Sequence, residues 1–142
     1  MKLTQTAEYA LRVMAIIASL EPGKPVRAMD LTDKTGIPPH YLSKIMRRLV
    51  AAGLLKSQKG RGGGFVLARP LSEIFFSDIL KAVNYNTEAA VCVFGWEECS
   101  EENPCPLHFF WRDVKNYFSQ WAEKHTLKEV KEVLPEVGNP QV

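Results

Sequence analysis

A chain of 142 residues with 46% hydrophobic and 24% charged content is close to the average for a soluble globular protein and long enough for one core of moderate size with an appendage. No run approaches the roughly 20 apolar residues of a membrane span, and Glu8 and Arg12 interrupt the apolar stretch behind Met1-Lys2, so neither a membrane segment nor a secretory leader is expected and the expected location is cytoplasmic. The net charge of +2 conceals an asymmetry: residues 24–69 hold ten Lys/Arg against two acids, a net +8, and the remainder holds eight against fourteen, a net −6, the footprint of a polyanion-binding face.

The first segment places Leu3, Ala7, Ala10, Leu11, Met14, Ile17 and Ala18 at the spacing of one helix face, with Thr4 as N-cap and Pro22-Gly23 as stop. A short second helix is predicted from about Arg27 to Thr35, turning Ala28 and Leu31 inward, and Gly36 supplies the turn behind it. The third helix, Pro39 to Ala52, buries Leu42, Ile45, Met46, Leu49 and Val50 and leaves His40, Lys44, Arg47, Arg48 and Ala51 on the opposite side, with Gly53 as its cap. Two short helices joined through a glycine turn, the second with a basic outer face, form the helix-turn-helix pattern whose second helix enters the major groove.

Leu54 to Gln58 and Phe65 to Ala68 then read as two strands around Lys59-Gly60-Arg61-Gly62-Gly63-Gly64. This is a wing, a glycine-rich basic loop able to bring its backbone close to phosphates or along a minor groove. A nucleotide-cradling loop would need a closing Gly-Lys-Ser/Thr and a following helix, and both are missing. The residues expected to contact DNA are Arg27, Pro39, His40, Tyr41, Lys44, Arg47, Arg48, Lys59, Arg61, Gly62 and Gly63.

Beyond Pro70, Ser77 is the expected cap of a helix carrying Ile79, Leu80 and Val83, and residues 84–105 lose periodicity. Pro104-Cys105-Pro106 marks the start of a helix running to about Lys124. It carries six of the fourteen aromatic residues, Phe109, Phe110, Trp111, Tyr117, Phe118 and Trp121, an apolar surface wider than one small domain covers, which points to a homodimer. Thr126 to Glu129 fits a capping box for a last short helix stopped by Pro135. The expected organisation is a DNA-binding unit over 1–83, a cysteine loop over 84–105, the dimerisation helix and a short C-terminal helix over 106–134, and a tail over 135–142. The fold class is mainly α with a small β wing, a winged helix-turn-helix plus a long C-terminal dimerisation helix.

All three cysteines, Cys92, Cys99 and Cys105, fall within fourteen residues, and His108 follows Cys105 by three. An odd, clustered set in a chain without a leader argues against a disulfide framework and for a metal. Three thiolates and a fourth N or O ligand suit a 2Fe-2S or 4Fe-4S cluster and equally a tetrahedral zinc, and the spacing does not decide among them. Three incidental buried cysteines fit poorly, because Cys99 lies among Glu97, Glu98, Ser100, Glu101 and Glu102. The fourth ligand is His108 by local placement, with Glu8 as the alternative. A thiol redox enzyme would want a Cys-x-x-Cys pair, which is absent; a zinc-bound Cys3His structural or RNA-binding module is the other alternative.

With these parts assembled, the chain resembles the Rrf2 family of bacterial transcription regulators. The residues that carry the resemblance are the opening Met-Lys-Leu-Thr with Tyr9-Ala10-Leu11-Arg12, Gly36-Ile37-Pro38, Tyr41-Leu42, Leu49 to Leu55, Gly60 to Phe65, Asp78-Ile79, the three cysteines and Trp111-Arg112-Asp113. The resemblance implies a homodimer with an iron-sulfur cluster in the loop beside the long helix, the third helix in the major groove, and Lys59 and Arg61 in or near the minor groove. Cys105-x2-His108 is similar to the branch in which histidine completes a 2Fe-2S site. Glu8 falls where another branch, sensing nitric oxide, supplies a carboxylate from the partner subunit to a 4Fe-4S site. The six residues between Cys92 and Cys99 are one more than the five usual in the family. The function expected is a DNA-binding regulator, not an enzyme, switched by a cluster favoured as 2Fe-2S.

Overall fold

The computed structural model describes residues 3–85 and 92–137. Helix α1 (Gln5–Ser19) starts where expected, with the Ala7 amide donating to the Thr4 hydroxyl at 3.2 Å. Its buried set is wider than the one stripe expected: Val13 and Ile16 join Ala7, Ala10, Met14, Ile17 and Ala18, while Leu3 and Leu11 are only partly covered. The reason is that four other helices pack on it: α2 (Ala28–Thr35), α3 (Pro39–Ala51), α4 (Phe76–Ala82) and α6 (Leu127–Val137).

Between α2 and α3 the chain turns at Gly36, which adopts the left-handed conformation at φ 75° that glycine reaches without steric cost. Thr35 is the one fully buried polar side chain among the described residues. Its hydroxyl donates to the Leu31 carbonyl at 2.6 Å and accepts from the Ile37 amide at 3.2 Å. The Thr35 carbonyl in turn accepts from the Arg12 guanidinium at 3.3 Å, so the turn is tied to α1. Pro39 opens α3, whose Leu42, Ile45, Met46 and Leu49 are buried while Val50 is half-buried.

The wing is an antiparallel pair, β1 (Leu55–Gln58) and β2 (Gly64–Leu67), with Leu55 opposite Leu67 and Gln58 opposite Gly64. Val26 adds a short third strand: its amide donates to the Phe65 carbonyl at 3.0 Å and its carbonyl accepts from the Phe65 amide at 2.8 Å. Gly64 lies at this junction, at φ 148°, and a Cβ there would stand 2.5 Å from the Val26 carbonyl oxygen. Only a glycine lets the two backbones approach so closely.

Three helix boundaries depart from the sequence expectation. Helix α4 begins at Phe76 rather than behind Ser77, because the Asp78 carboxylate reaches back to accept from the Phe75 amide at 2.9 Å and so caps one residue earlier. Helix α5 (His108–Lys124) begins two residues after Pro106. Pro106 sits instead in a turn closed by the His108 amide on the Cys105 carbonyl at 3.1 Å, a position its fixed φ suits equally well. The backbone of α6 stays helical past Pro135 to Val137, so the proline interrupts only its last turn. The Thr126 amide donates to the Glu129 carboxylate at 3.2 Å, the reach-back half of the predicted capping box. Leu127 is fully buried, and its amide donates to the Ile74 carbonyl at 3.0 Å, which ties the α5–α6 corner to the start of α4.

Thr35→Val keeps the side-chain shape but leaves the Ile37 amide buried without a partner. The expected loss is about 1–3 kcal/mol in urea unfolding, with Thr35→Ser losing less; equal stability of the Val variant and wild type contradicts the role given to this hydroxyl.

Candidate functional site

Helix α3 presents His40, Tyr41, Lys44, Arg47, Arg48 and Ala51 to solvent and contains no acidic residue. Lys59, Arg61 and Gly62 are exposed at the wing tip, and Gly63 is half-buried over the Gln58 and Gly60 carbonyls. Lys44, Arg47, Arg48, Lys59 and Arg61 form no ion pair with any described residue, whereas Arg27 is paired with Asp30 at 3.3 Å. That pair is exposed, so it offsets little of the Arg27 charge. Tyr41 is held from both sides, its ring 6.3 Å edge-on from Tyr9 and 4.6 Å from His40. The residues expected to contact DNA thus lie on α3, on the wing loop and, for Arg27, at the N-cap of α2, all exposed but Gly63.

A second site forms where the cysteine loop meets the start of α5. The ligand atoms of Cys92, Cys99 and Cys105 lie within 4.8 Å of one another. Cys92 and Cys105 have their sulfurs 3.7 Å apart, and Cys99 Sγ is 3.2 Å from Nδ1 of His108. Short turns bring them together. The Gly95 amide bonds the Cys92 carbonyl at 2.9 Å, the Cys99 amide bonds the Trp96 carbonyl at 3.3 Å, and the Cys105–His108 turn delivers the last two. The other imidazole nitrogen, Nε2 of His108, is buried and has no hydrogen-bond partner, so the chain alone leaves a polar atom unsatisfied here.

The thiols differ in acidity. Burial pushes Cys92 up, but the amides of Trp96 and Phe94 and the neighbouring thiols outweigh it and bring Cys92 down to about 7. Burial pushes Cys105 up; the Leu107 amide opposes this and the thiols of Cys92 and Cys99 add to it. Cys92 therefore ionises before Cys105, and a thiolate is present near neutral pH to engage a metal. The converging group is the three thiols; His108 stands beside it, Nδ1 against Cys99, and Glu8 does not reach it. Glu8 is exposed on α1 and paired with Arg12 at 2.9 Å.

Two features of this region carry no local sequence signal. Arg112 reaches from the second turn of α5 to Glu101 at 3.1 Å, with its guanidinium 5.0 Å above the Phe109 ring, and so fastens the loop between Cys99 and Cys105 to the helix. Phe94 and Trp96 stack at 4.7 Å and are both exposed. Along α5 itself only Ala122 is buried. Phe109, Phe110, Tyr117 and Trp121 are exposed, and Trp121 also stacks on Phe76 at 4.9 Å.

A helix-turn-helix followed by a two-stranded wing, with its unpaired cations on the second helix and the wing loop, defines the winged-helix class of DNA-binding transcription regulators. Within that class the family model of the Rrf2 proteins, described as an iron-dependent transcriptional regulator, matches residues 3–132, and the chain belongs to this family. Relatives called HTH-type transcriptional regulator IscR match it along most of its length. That of Photorhabdus laumondii is 32% identical over 141 residues, covering 97% of this chain and 85% of the relative. That of Yersinia pseudotuberculosis is 33% identical over 130 residues, covering 92% and 79%. Among solved structures, CymR, the global cysteine regulator of B. subtilis, superposes with a TM-score of 0.78 at 20% identity over 94% of this chain and 98% of that one. T. potens IscR gives 0.75 at 22% identity over 100% and 94%. The chain is accordingly an IscR-like transcriptional regulator and not an enzyme, with three cysteines placed to bind a metal or cluster. None of its described helices is long and apolar enough to cross a membrane.

Proposed function

We propose that this protein is a dimeric operator-binding regulator whose affinity for DNA is set by an iron-sulfur cluster on Cys92, Cys99, Cys105 and His108. The observation that carries the reading is the convergence of three thiols beside the start of α5, with Nδ1 of His108 3.2 Å from one of them and its Nε2 buried and unpartnered. The donor set fits an iron-sulfur centre: soft thiolates, one of them ionising near neutral pH, and an imidazole nitrogen. A bound cluster supplies a centre whose charge or presence responds to iron supply, oxidants or nitric oxide.

The chain's own residues do the rest. Cys105 and His108 hold the loop at the α5 N-terminus, Arg112 pins its middle through Glu101, and loss of the ligands' common anchor frees residues 92–105. The exposed aromatics Phe109, Phe110 and Tyr117 of α5 face a second copy, so loop order and subunit geometry change together. Two copies of α3 enter successive major grooves about 34 Å apart, positioned by Arg27, Pro39, His40, Tyr41, Lys44, Arg47 and Arg48, with Lys59, Arg61, Gly62 and Gly63 at the minor groove. In this reading residues 1–83 bind DNA, 84–105 hold the cluster, 106–134 dimerise and 135–142 are a tail. His108 favours the 2Fe-2S form; Glu8 supplied by a partner subunit is the route to a 4Fe-4S form.

The same thiol spacing also suits a second reading, a single tetrahedral zinc. Metal–sulfur bonds of about 2.3 Å at tetrahedral angles put two thiolates about 3.8 Å apart, close to the 3.7 Å between Cys92 and Cys105.

Protein purified without oxygen is expected to be brown and to contain iron and sulfide. Cys105→Ala should bleach it, and His108→Ala should alter its visible spectrum while Glu8→Ala leaves it unchanged. A colourless protein with one zinc per chain selects the second reading, and a protein that takes no metal after reconstitution contradicts both. Arg61→Ala should weaken duplex binding and flatten its dependence on salt by about one phosphate contact; unchanged binding removes the wing from the interface.

A further inference from the structure

We propose that, once free of metal, the site closes on itself: Cys92 and Cys105 of one chain form a disulfide under hydrogen peroxide, and this bond locks the site against reloading. The proposal depends on the metal-site reading for its consequence but not for its chemistry. Its ground is geometric. The two sulfurs are already in contact at 3.7 Å and need to close to about 2.05 Å. Both residues belong to a stretch without helix or strand, held by single-turn hydrogen bonds, so the approach breaks no secondary structure.

The third thiol, Cys99, lies within 4.8 Å of both and also 3.2 Å from His108 Nδ1; the 3.7 Å contact is what marks Cys92 and Cys105 as the pair. An oxidant can reach them. Cys92 is half-buried, and an open cleft lined by Trp96, Cys99, Asn103 and Cys105 runs past the buried Cys105.

The reaction balances with peroxide as the sole co-reactant. The first thiol attacks the O–O bond and keeps one oxygen as a sulfenic acid, the other leaving as water. The second thiol displaces that oxygen as a second water, and the S–S bond forms. Two thiols and one peroxide become one disulfide and two waters. Two of three thiolates are thereby withdrawn, and Cys99 with His108 cannot hold a metal alone. Reductant reverses the bond, so the locked form records oxidation that outlasts the loss of the metal.

The test uses full-length protein stripped of metal under reductant, which is then removed without oxygen. One equivalent of peroxide should lower the thiols titrated after denaturation from three to one, and mass spectrometry of the digest should find the Cys92 and Cys105 peptides joined with the loss of two hydrogens. Cys99→Ser should still form the link. Cobalt(II) should give its thiolate charge-transfer band with the reduced protein, none with the oxidised protein, and the band should return after dithiothreitol. A link through Cys99, a disulfide between two chains, or stable sulfinic acids with no link overturns the proposal. If reduced protein takes no cobalt yet the link forms, the metal-site reading fails and the disulfide stands. If cobalt binds and the link does not form, only the disulfide fails.

Discussion

The burial of α1 is the constraint on which the rest depends. Ala7, Ala10, Val13 and Met14 are wholly inaccessible, and the helix touches α2, α3, α4 and α6 at once. It is therefore the common wall between the elements that carry the basic face and those that follow the cysteine loop. Cores packed as densely as crystals transmit displacement rather than absorb it. Arg12 adds a polar strut from the same helix to the turn carrying Thr35, so the orientation of α3 is referenced to α1 and not only to its own neighbours.

The cysteine loop gains its order by different means. Its exposed stretch of acids offers almost no apolar surface to bury, and among the described residues its fixed points are single-turn hydrogen bonds, the exposed Phe94–Trp96 stack, the Glu101–Arg112 pair and the group of thiols beside His108. An exposed ion pair contributes on the order of 1 kcal/mol or less. A metal that gathers three thiolates contributes far more, because its binding energy is also ordering energy for the segment that supplies the ligands. On the proposed reading such a loop takes up two states and α5, with Ala122 its only buried residue, registers the difference.

Much of this architecture was legible in the sequence because it rests on periodicity. The apolar spacing of α1 and α3, Gly36 at the turn and the glycine-rich wing all follow from backbone requirements that leave local marks, and they lie within a residue or so of expectation. What escaped depends on contacts distant in sequence or on competition between caps. Val26 pairs with Phe65 across thirty-nine positions, a one-residue strand with no period to detect. Asp78 outcompeted Ser77 because its carboxylate reaches back to the Phe75 amide, and Pro106 served a turn instead of opening α5. Of the candidate metal site, the three thiols could be named from their clustering, but not their mutual distances, the Arg112 clamp or the orphaned His108 nitrogen, since a loop without period gives no register to build on.

The central claim is that the occupancy of the thiol site and the affinity of α3 and the wing for DNA are one equilibrium. It is tested most directly by selecting duplexes from a random pool separately with loaded and with stripped, reduced protein, then measuring the affinity of both forms for each selected duplex at one fixed salt concentration. The account predicts that the two forms differ by at least about fivefold on one of the selected duplexes, the lower end of coupling between linked sites. Equal affinities on every duplex would contradict it, leaving a DNA-binding protein whose metal site serves only its fold.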